Sequence, residues 1–154
     1  MVTKAMTLWM NRAVPGQPVY PEGQGAPVGG DWIGLWLLGL EPSPSTADLA
    51  TRPYRLTMTY RLQPMTADPL TAHERLCDLM FAAMTNPWLE QDPDATTRVC
   101  APIEIVPAAT ARDRYSAQTL GASLYLDVTI ERPRPLIETQ LVREPAILRT
   151  RSIN

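Results

Sequence analysis

The chain has 154 residues, of which 45% are hydrophobic and 19% charged, enough apolar material for one domain with a real core. Its formal charge is −2, so no whole-chain basic field is available to hold nucleic acid. The longest apolar run, Trp32 to Leu40, contains Gly34 and Gly39 and is too short to span a bilayer, which speaks against direct membrane insertion.

The opening MVTKAMTLWMNRAVPG lacks both a charged n-region and a long apolar h-region, and so predicts a protein made and assembled in the cytoplasm. Residues 11–31 then carry Pro15, Gly16, Pro18, Pro21, Gly23, Gly25, Pro27, Gly29 and Gly30. Such a stretch supports neither helix nor central strand and predicts a long arm or loop, of the kind that goes with a binding role or disorder. DWIGLWLLGL (31–40) shows no period-two alternation and predicts a strand buried on both faces. A second loop, set off by Pro42 and Pro44, covers 41–53.

Residues 54–62 alternate strictly: Tyr54, Leu56, Met58, Tyr60 and Leu62 on one face, Arg55, Thr57, Thr59 and Arg61 on the other. After the loop QPMTADPL comes one principal amphipathic helix, 71–85. Thr71 and Glu74 are placed as a capping box, and Leu76, Met80 and Ala83 form the apolar stripe, widened by Cys77 and Met84. On this reading Cys77 is a buried free thiol. Asn86-Pro87 stops the helix, because the residue before proline is pushed out of the α region.

An acidic loop follows at 88–98, then a strand at 99–106 with Ile103 and Ile105 on one face, and a turn or short helix at 109–120. Residues 121–131 form the second clean strand, with Ala122, Leu124, Leu126, Val128 and Ile130 inward and Ser123, Tyr125, Asp127, Thr129 and Glu131 outward. Beyond Arg132-Pro-Arg-Pro135 two short extended pieces (137–142 and 146–150) are separated by Glu144-Pro145, which confines them to edge or exchanged strands. The expected fold is α+β, one helix on a mainly antiparallel sheet, in a single domain 1–154: a core at 32–131, an arm or loop at 11–31 and an extended C-terminal arm at 132–154.

Parts for catalysis are missing from the pattern. The one histidine, His73, falls on the first turn of the predicted helix, and no HExxH, CxxC, GxxxxGK[ST] or GxGxxG occurs. GQGAPVGG (23–30) has no strand leading in and no helix opening after it, so phosphate binding is unsupported. His73, Glu74 and Asp78 read as capping and dipole complementation rather than metal ligands. Cys77 and Cys100 make no disulfide framework. Tyr115, Tyr125 and Trp88 lack the clustered basic and aromatic pattern of nucleic-acid readers. The expectation is therefore no enzyme, no cofactor, no metal and no nucleic acid.

Charge is unevenly spread. Arg132, Arg134, Arg143, Arg149 and Arg151 face only Glu138 and Glu144 in the C-terminal segment, whereas 68–94 holds Asp68, Glu74, Asp78, Glu90, Asp92 and Asp94 against Arg75. Complementary patches of this kind suit a subunit interface, so the five arginines together with Glu74, Asp78, Glu90, Asp92 and Asp94 are the candidate interface residues. Lys4 is the only lysine beside thirteen arginines, whose planar forks suit such contacts.

The central block also resembles a known family. LTMTYRLQ (56–63) is similar to its alternating "LxLxYLLT" strand, AHERLCDLMFAAM (72–84) to its following helix, and TNPWLE (85–90) to its "hxxPxL" close. IEIVPAATARDRYSAQTLGASLYLDVTIERP (103–133) is similar to its strand, helical turn and final "YxxSxxYxVxV" strand, and DWIGLWLLGLEPSPS to its short first strand and loop. The family is the tail terminator, or cap, of extracellular contractile injection systems of the antifeeding-prophage and virulence-cassette type, with phage tail terminators as more distant relatives. In two respects the chain departs from it. The helix expected before the proline-rich arm is short or absent here (at most 2–12), and Arg75-Leu76-Cys77 stands where the family has "LLG".

The resemblance, over roughly 31–133, implies a homo-oligomeric ring of about six copies. That ring would end the inner tube and anchor the last sheath layer of a phage-tail-like particle, with tube and sheath proteins as partners. It implies no catalytic residues. Two other readings fit the same pattern: a tail-completion or head-tail connector protein of a phage, and a monomeric adaptor or ligand-binding domain.

Overall fold

The computed structural model describes residues 2–42, 54–90, 100–115 and 122–132. Within them lie three helices, α1 (Val2–Ala13), α2 (Pro69–Thr85) and α3 (Ala108–Tyr115), and six strands: β1 (Val19–Pro21), β2 (Trp32–Pro42), β3 (Tyr54–Met65), β4 (Trp88–Glu90), β5 (Cys100–Val106) and β6 (Leu124–Arg132). The strands form one sheet in the order β1-β2-β3-β6-β5-β4, antiparallel throughout except for the parallel β1–β2 pair. The α+β class with a mainly antiparallel sheet is as expected; the number of helices is not.

Alternation in β3 and β6 sets the core. Tyr60, Leu62, Leu126 and Val128 are fully buried on one face, joined by Ile33 and Leu35 of β2 and Ile103 of β5. The register pairs Tyr60 with Leu126 and Met58 with Val128, so like-facing apolar side chains meet across the strands. Burial pushes the Tyr60 phenol above its ordinary range, against a smaller downward pull from its hydrogen bond to Thr3. Ile105 stands on the same face as Ile103 but is more than a third exposed. β2 is buried only through its first half; a register slip between Leu37 and Gly39 marks a bulge, and Leu40 beyond it is exposed.

Two helices close this face. α1 is a complete twelve-residue helix that buries Ala5, Met6, Trp9 and Met10, a spacing that keeps one side of the helix on the sheet. It is present, one residue longer than the most the sequence reading allowed (2–12), and it carries the start of the supposed 11–31 arm. That arm also contains β1, and just before it the Pro18 carbonyl accepts from the Ile33 N–H at 2.9 Å. A three-residue strand with prolines at its margins is tolerable there because it is an edge.

α2 corrects two further expectations. It begins at Pro69, two residues early, and its cap is Asp68: the Asp68 carboxylate accepts from the Leu70 and Thr71 amides at 3.2 and 3.1 Å and from the Thr71 hydroxyl at 2.6 Å. The carboxylate satisfies orphan amides at the positive end of the helix dipole, and Pro69 costs nothing at a position whose N–H has no partner. Thr71 thus donates to the cap and is not the cap. The buried residues of α2 are Leu79 and Ala83, with Leu76 and Ala82 packed partly against the core. Met80, Met84 and Cys77 lie on the exposed side, so Cys77 is a surface thiol and not a buried one.

The three hydrogen bonds hold the Asp68 carboxyl below its usual 3.8. A depressed native value contributes stability above the unfolded value and loses it as the pH falls through the native one. Asp68→Ala is therefore expected to melt below wild type at pH 7, with the gap closing once the pH drops below 3.8. Thermal melts of both proteins across that range check this.

The second sheet face is the one expected to be solvated, and it is partly covered by α3. Val106, Ala111 and Tyr125 form a small buried cluster, with Leu38 and Ala108 beside it. Tyr115 at the end of α3 lies over Gly39, where a Cβ would come within 2.3 Å of its ring. Its hydroxyl donates to Glu41 at 3.1 Å and stands 2.9 Å from the hydroxyl of Thr59, which itself donates to Asp127. Thr59 and Tyr125, expected to face outward, are consequently buried. Further along this face Trp36 folds over Gly34, and the Arg61 guanidinium stacks 4.4 Å above it.

Candidate assembly surface

The structure divides the predicted interface residues. Glu74 and Asp78 are exposed on α2, one turn apart. Glu90, on β4, accepts from Arg12 of α1 at 3.3 Å, so a partner for this carboxylate is found inside the domain. Arg132 ends β6 opposite Tyr54. Arg134, Arg143, Arg149, Arg151, Asp92 and Asp94 fall outside the described residues, as do the predicted extended pieces at 137–142 and 146–150. The proposed pairing of C-terminal arginines with the 68–94 acids is therefore neither formed nor broken among the described residues.

What the sequence reading missed is an apolar stripe on the outside of α2. Leu70, Phe81 and Met84 are 72%, 64% and 62% exposed, and Cys77 is exposed between them. Residues 70, 77 and 84 repeat every two turns, and Phe81 sits one turn after Cys77. This stripe points directly away from the Leu79–Ala83 stripe that faces the sheet. His73, Glu74 and Asp78, all exposed, flank it. An apolar strip rimmed by polar residues marks a protein contact more often than a chance exposure does. Trp88, 53% exposed on β4, extends apolar surface beyond the helix end.

Two shallow recesses adjoin this surface. One, of about 400 Å³, is bounded by Phe81, Asp78 and Thr85 of α2 and by Trp9 and Arg12 of α1. The other, of about 250 Å³, lies between α1 and β4 around Trp9, Trp88 and Glu90. Trp9 forms the common wall and donates its indole N–H to the Asn86 carbonyl at 3.3 Å. Among the described residues no group of three or more His, Cys, Asp and Glu side chains converges as a metal site would require. No described helix is long and apolar enough to cross a membrane.

No protein-family model matches the chain, and no curated protein does. Two solved assemblies share its fold. One is a cryo-EM structure of an extracellular contractile injection system, the PVC sheath/tube terminator in its extended state, at TM-score 0.60 and 14% identity over 87% of this chain and 56% of the other. The second is the cryo-EM structure of the anti-feeding prophage cap, a tube-terminating cap, at TM-score 0.59 and 13% identity over 87% of this chain and 54% of the other. The chain thus spans a little over half the length of the structures it matches. One neighbour is thus a sheath/tube terminator and the other a tube-terminating cap. At this identity the likeness speaks to architecture: the chain has the α+β fold of a contractile-injection-system tail terminator.

Proposed function

We propose that this protein is the terminator of a phage-tail-like contractile particle, a ring of about six copies that ends the inner tube and anchors the last sheath layer. The carrying observation is the shared fold with a sheath/tube terminator and a tube-terminating cap over 87% of the chain. The outward apolar stripe of α2 supports it, since a subunit of a closed ring needs a face that is apolar yet flanked by charge for register. The short edge strands β1 and β4 fit the same role: they offer neighbours little open ladder, so assembly falls to side-chain surfaces.

A terminator limits polymerisation and does no chemistry. Removing the gene should leave tubes of irregular length, or sheath detached at its upper end, as seen by negative-stain microscopy of purified particles. Particles of uniform length with ordinary ends from the deletion strain would rule the proposal out.

A further inference from the structure

Among the described residues four buried side-chain polar atoms have no hydrogen-bond partner: the Nε of Arg61 and of Arg75, and the hydroxyls of Ser123 and Tyr125. Buried polar groups are almost always paired, so each such orphan needs a reason, a bound ion or ligand being one. Arg75 stands apart on α2. The other three fall together on the second sheet face. Arg61 of β3 is the direct cross-strand partner of Tyr125 of β6, and opposite neighbours of this kind have Cβ atoms about 4.5–5.5 Å apart. Ser123 precedes Tyr125 by two residues, the spacing that returns a side chain to the same face of an extended chain.

All three groups are donors, and their side chains are held in place. The Arg61 guanidinium stacks 4.4 Å above the ring of Trp36, its partner on β2, which fixes its plane and leaves its edge free to bind. Tyr125 is only 2% exposed, its ring packed with Val106 and Ala111. Donors that are already ordered lose little entropy when they bind. Arg61, Trp36 and Ser123 are half-buried, so the group opens to the surface on their side. The acids of this face are engaged elsewhere or stand off. Asp127, the next residue on the Tyr125 side of β6, accepts from Thr59 and lies 3.4 Å from the Arg114 guanidinium. Glu131 pairs with Arg55, Glu41 accepts from Tyr115, and Glu104 is exposed opposite Asp127. Among the described residues Arg61 has no ion-pair partner.

We propose that Arg61, Ser123 and Tyr125 form a binding site for a carboxylate beside Trp36. One cation and two hydroxyls suit a ligand with one negative charge and two acceptor oxygens. A carboxylate supplies both, one oxygen on the Nε edge of the guanidinium and the other within reach of the hydroxyls. A phosphate dianion would bring a second charge with no cation to meet it. A free carboxylic acid and an acidic side chain of a protein packed on this face offer the same chemistry.

The test follows the Arg61 Nε–H signal of the full chain by NMR, identified by its loss in Arg61→Gln, during titration with sodium acetate at neutral pH. Sodium chloride and sodium phosphate at matched ionic strength are the comparisons. The expected result is a saturable shift with acetate alone, its affinity about tenfold weaker in Tyr125→Phe and in Ser123→Ala, since each removes one hydrogen bond to a charged group. In chloride both variants should melt at or above wild type, because the hydroxyl each one lacks is an unpaired buried donor. A signal that acetate leaves unmoved overturns the site and assigns the three donors to water. A shift with phosphate and not acetate overturns the choice of ligand, and a Tyr125→Phe melt well below wild type shows a hydroxyl that is already paired, which overturns it too. Arg61→Gln in purified particles then separates the sources, and only this arm rests on the terminator reading. With a wild-type melting curve, loss from particles assigns the carboxylate to a packed protein, and normal incorporation assigns it to a free ligand. Particles that end normally without the gene sink the terminator reading and leave the acetate result standing.

Discussion

Leu126→Ala is expected to reduce the free energy of unfolding by about 2–5 kcal/mol, the usual cost of emptying a buried leucine site. Leu126 is fully buried on β6, paired with Tyr60 of β3 on one side and Ile105 of β5 on the other. It therefore sits where the two halves of the sheet meet, and neighbours fixed by strand register cannot easily collapse into the space. A domain of this size has only about 5–15 kcal/mol in hand, so the loss is a large fraction of the total. Leu40→Ala provides the control: the same atoms are removed from a side chain that is 54% exposed, and the expected change is within about 0.5 kcal/mol. Urea titrations of the three proteins decide it. If Leu126→Ala unfolds at the wild-type midpoint, the core does not lie where the β3–β6 register puts it.

Alternation made that core legible from sequence. In β3 and β6 the odd and even positions differ consistently in polarity, and a half-buried strand leaves no other arrangement. The helices were harder for specific reasons. From Leu70 to Met84, α2 carries apolar residues on two opposite stripes, Leu76–Leu79–Ala83 and Leu70–Cys77–Phe81–Met84. Periodicity finds the helix but cannot say which stripe meets the sheet; packing against β3, β5 and β6 decides that. Asp68-Pro69 was a usable signal for the cap, since a capping side chain followed by proline marks a helix start. The Ala5-Met6-Trp9-Met10 spacing was an equally usable signal for α1.

Two elements left weaker traces: α3 falls where a turn or short helix is expected at 109–120, but its pattern does not show how it is held. α3 buries Ala111 alone, and its hold on the sheet comes from Tyr115 over Gly39 and from Arg114, whose guanidinium lies 3.4 Å from Asp127. These are contacts between residues distant in sequence. β4 is three residues long, too short for any period to register. The same limit applies to the candidate surface. Charge asymmetry pointed to the acids of 68–94, of which the structure leaves Glu74 and Asp78 exposed on α2 and pairs Glu90 with Arg12. Of the apolar stripe on α2, Cys77 and Met84 are read from sequence as core-facing, Leu70 falls in the expected loop, and Phe81 has no assigned side.

That reassignment leads to the second large effect, Phe81→Asp. Exposed ion pairs are worth about 0.2–1 kcal/mol each, so reversing Glu74 or Asp78 should change assembly little. A large aromatic centred in a desolvated contact behaves differently, and truncating such anchors costs 2 kcal/mol or more, which is about thirtyfold in affinity. Phe81 is 64% exposed in the single subunit, has Cys77 and Met84 one turn away on the same stripe, and borders the recess formed with Trp9 and Arg12. An aspartate there adds a desolvation penalty to the lost contact. The isolated domain should be nearly indifferent, since a surface change of this kind usually falls within about 0.5 kcal/mol. The expected result is a protein with a wild-type melting curve that is lost from purified particles, leaving tubes as irregular as those of the gene deletion. Cys77→Ser should retain incorporation, which separates packing at this face from thiol chemistry. If Phe81→Asp enters particles as well as wild type while Glu74→Lys or Asp78→Lys does not, charge rather than apolar contact holds the ring, and the outward stripe of α2 is not the assembly surface.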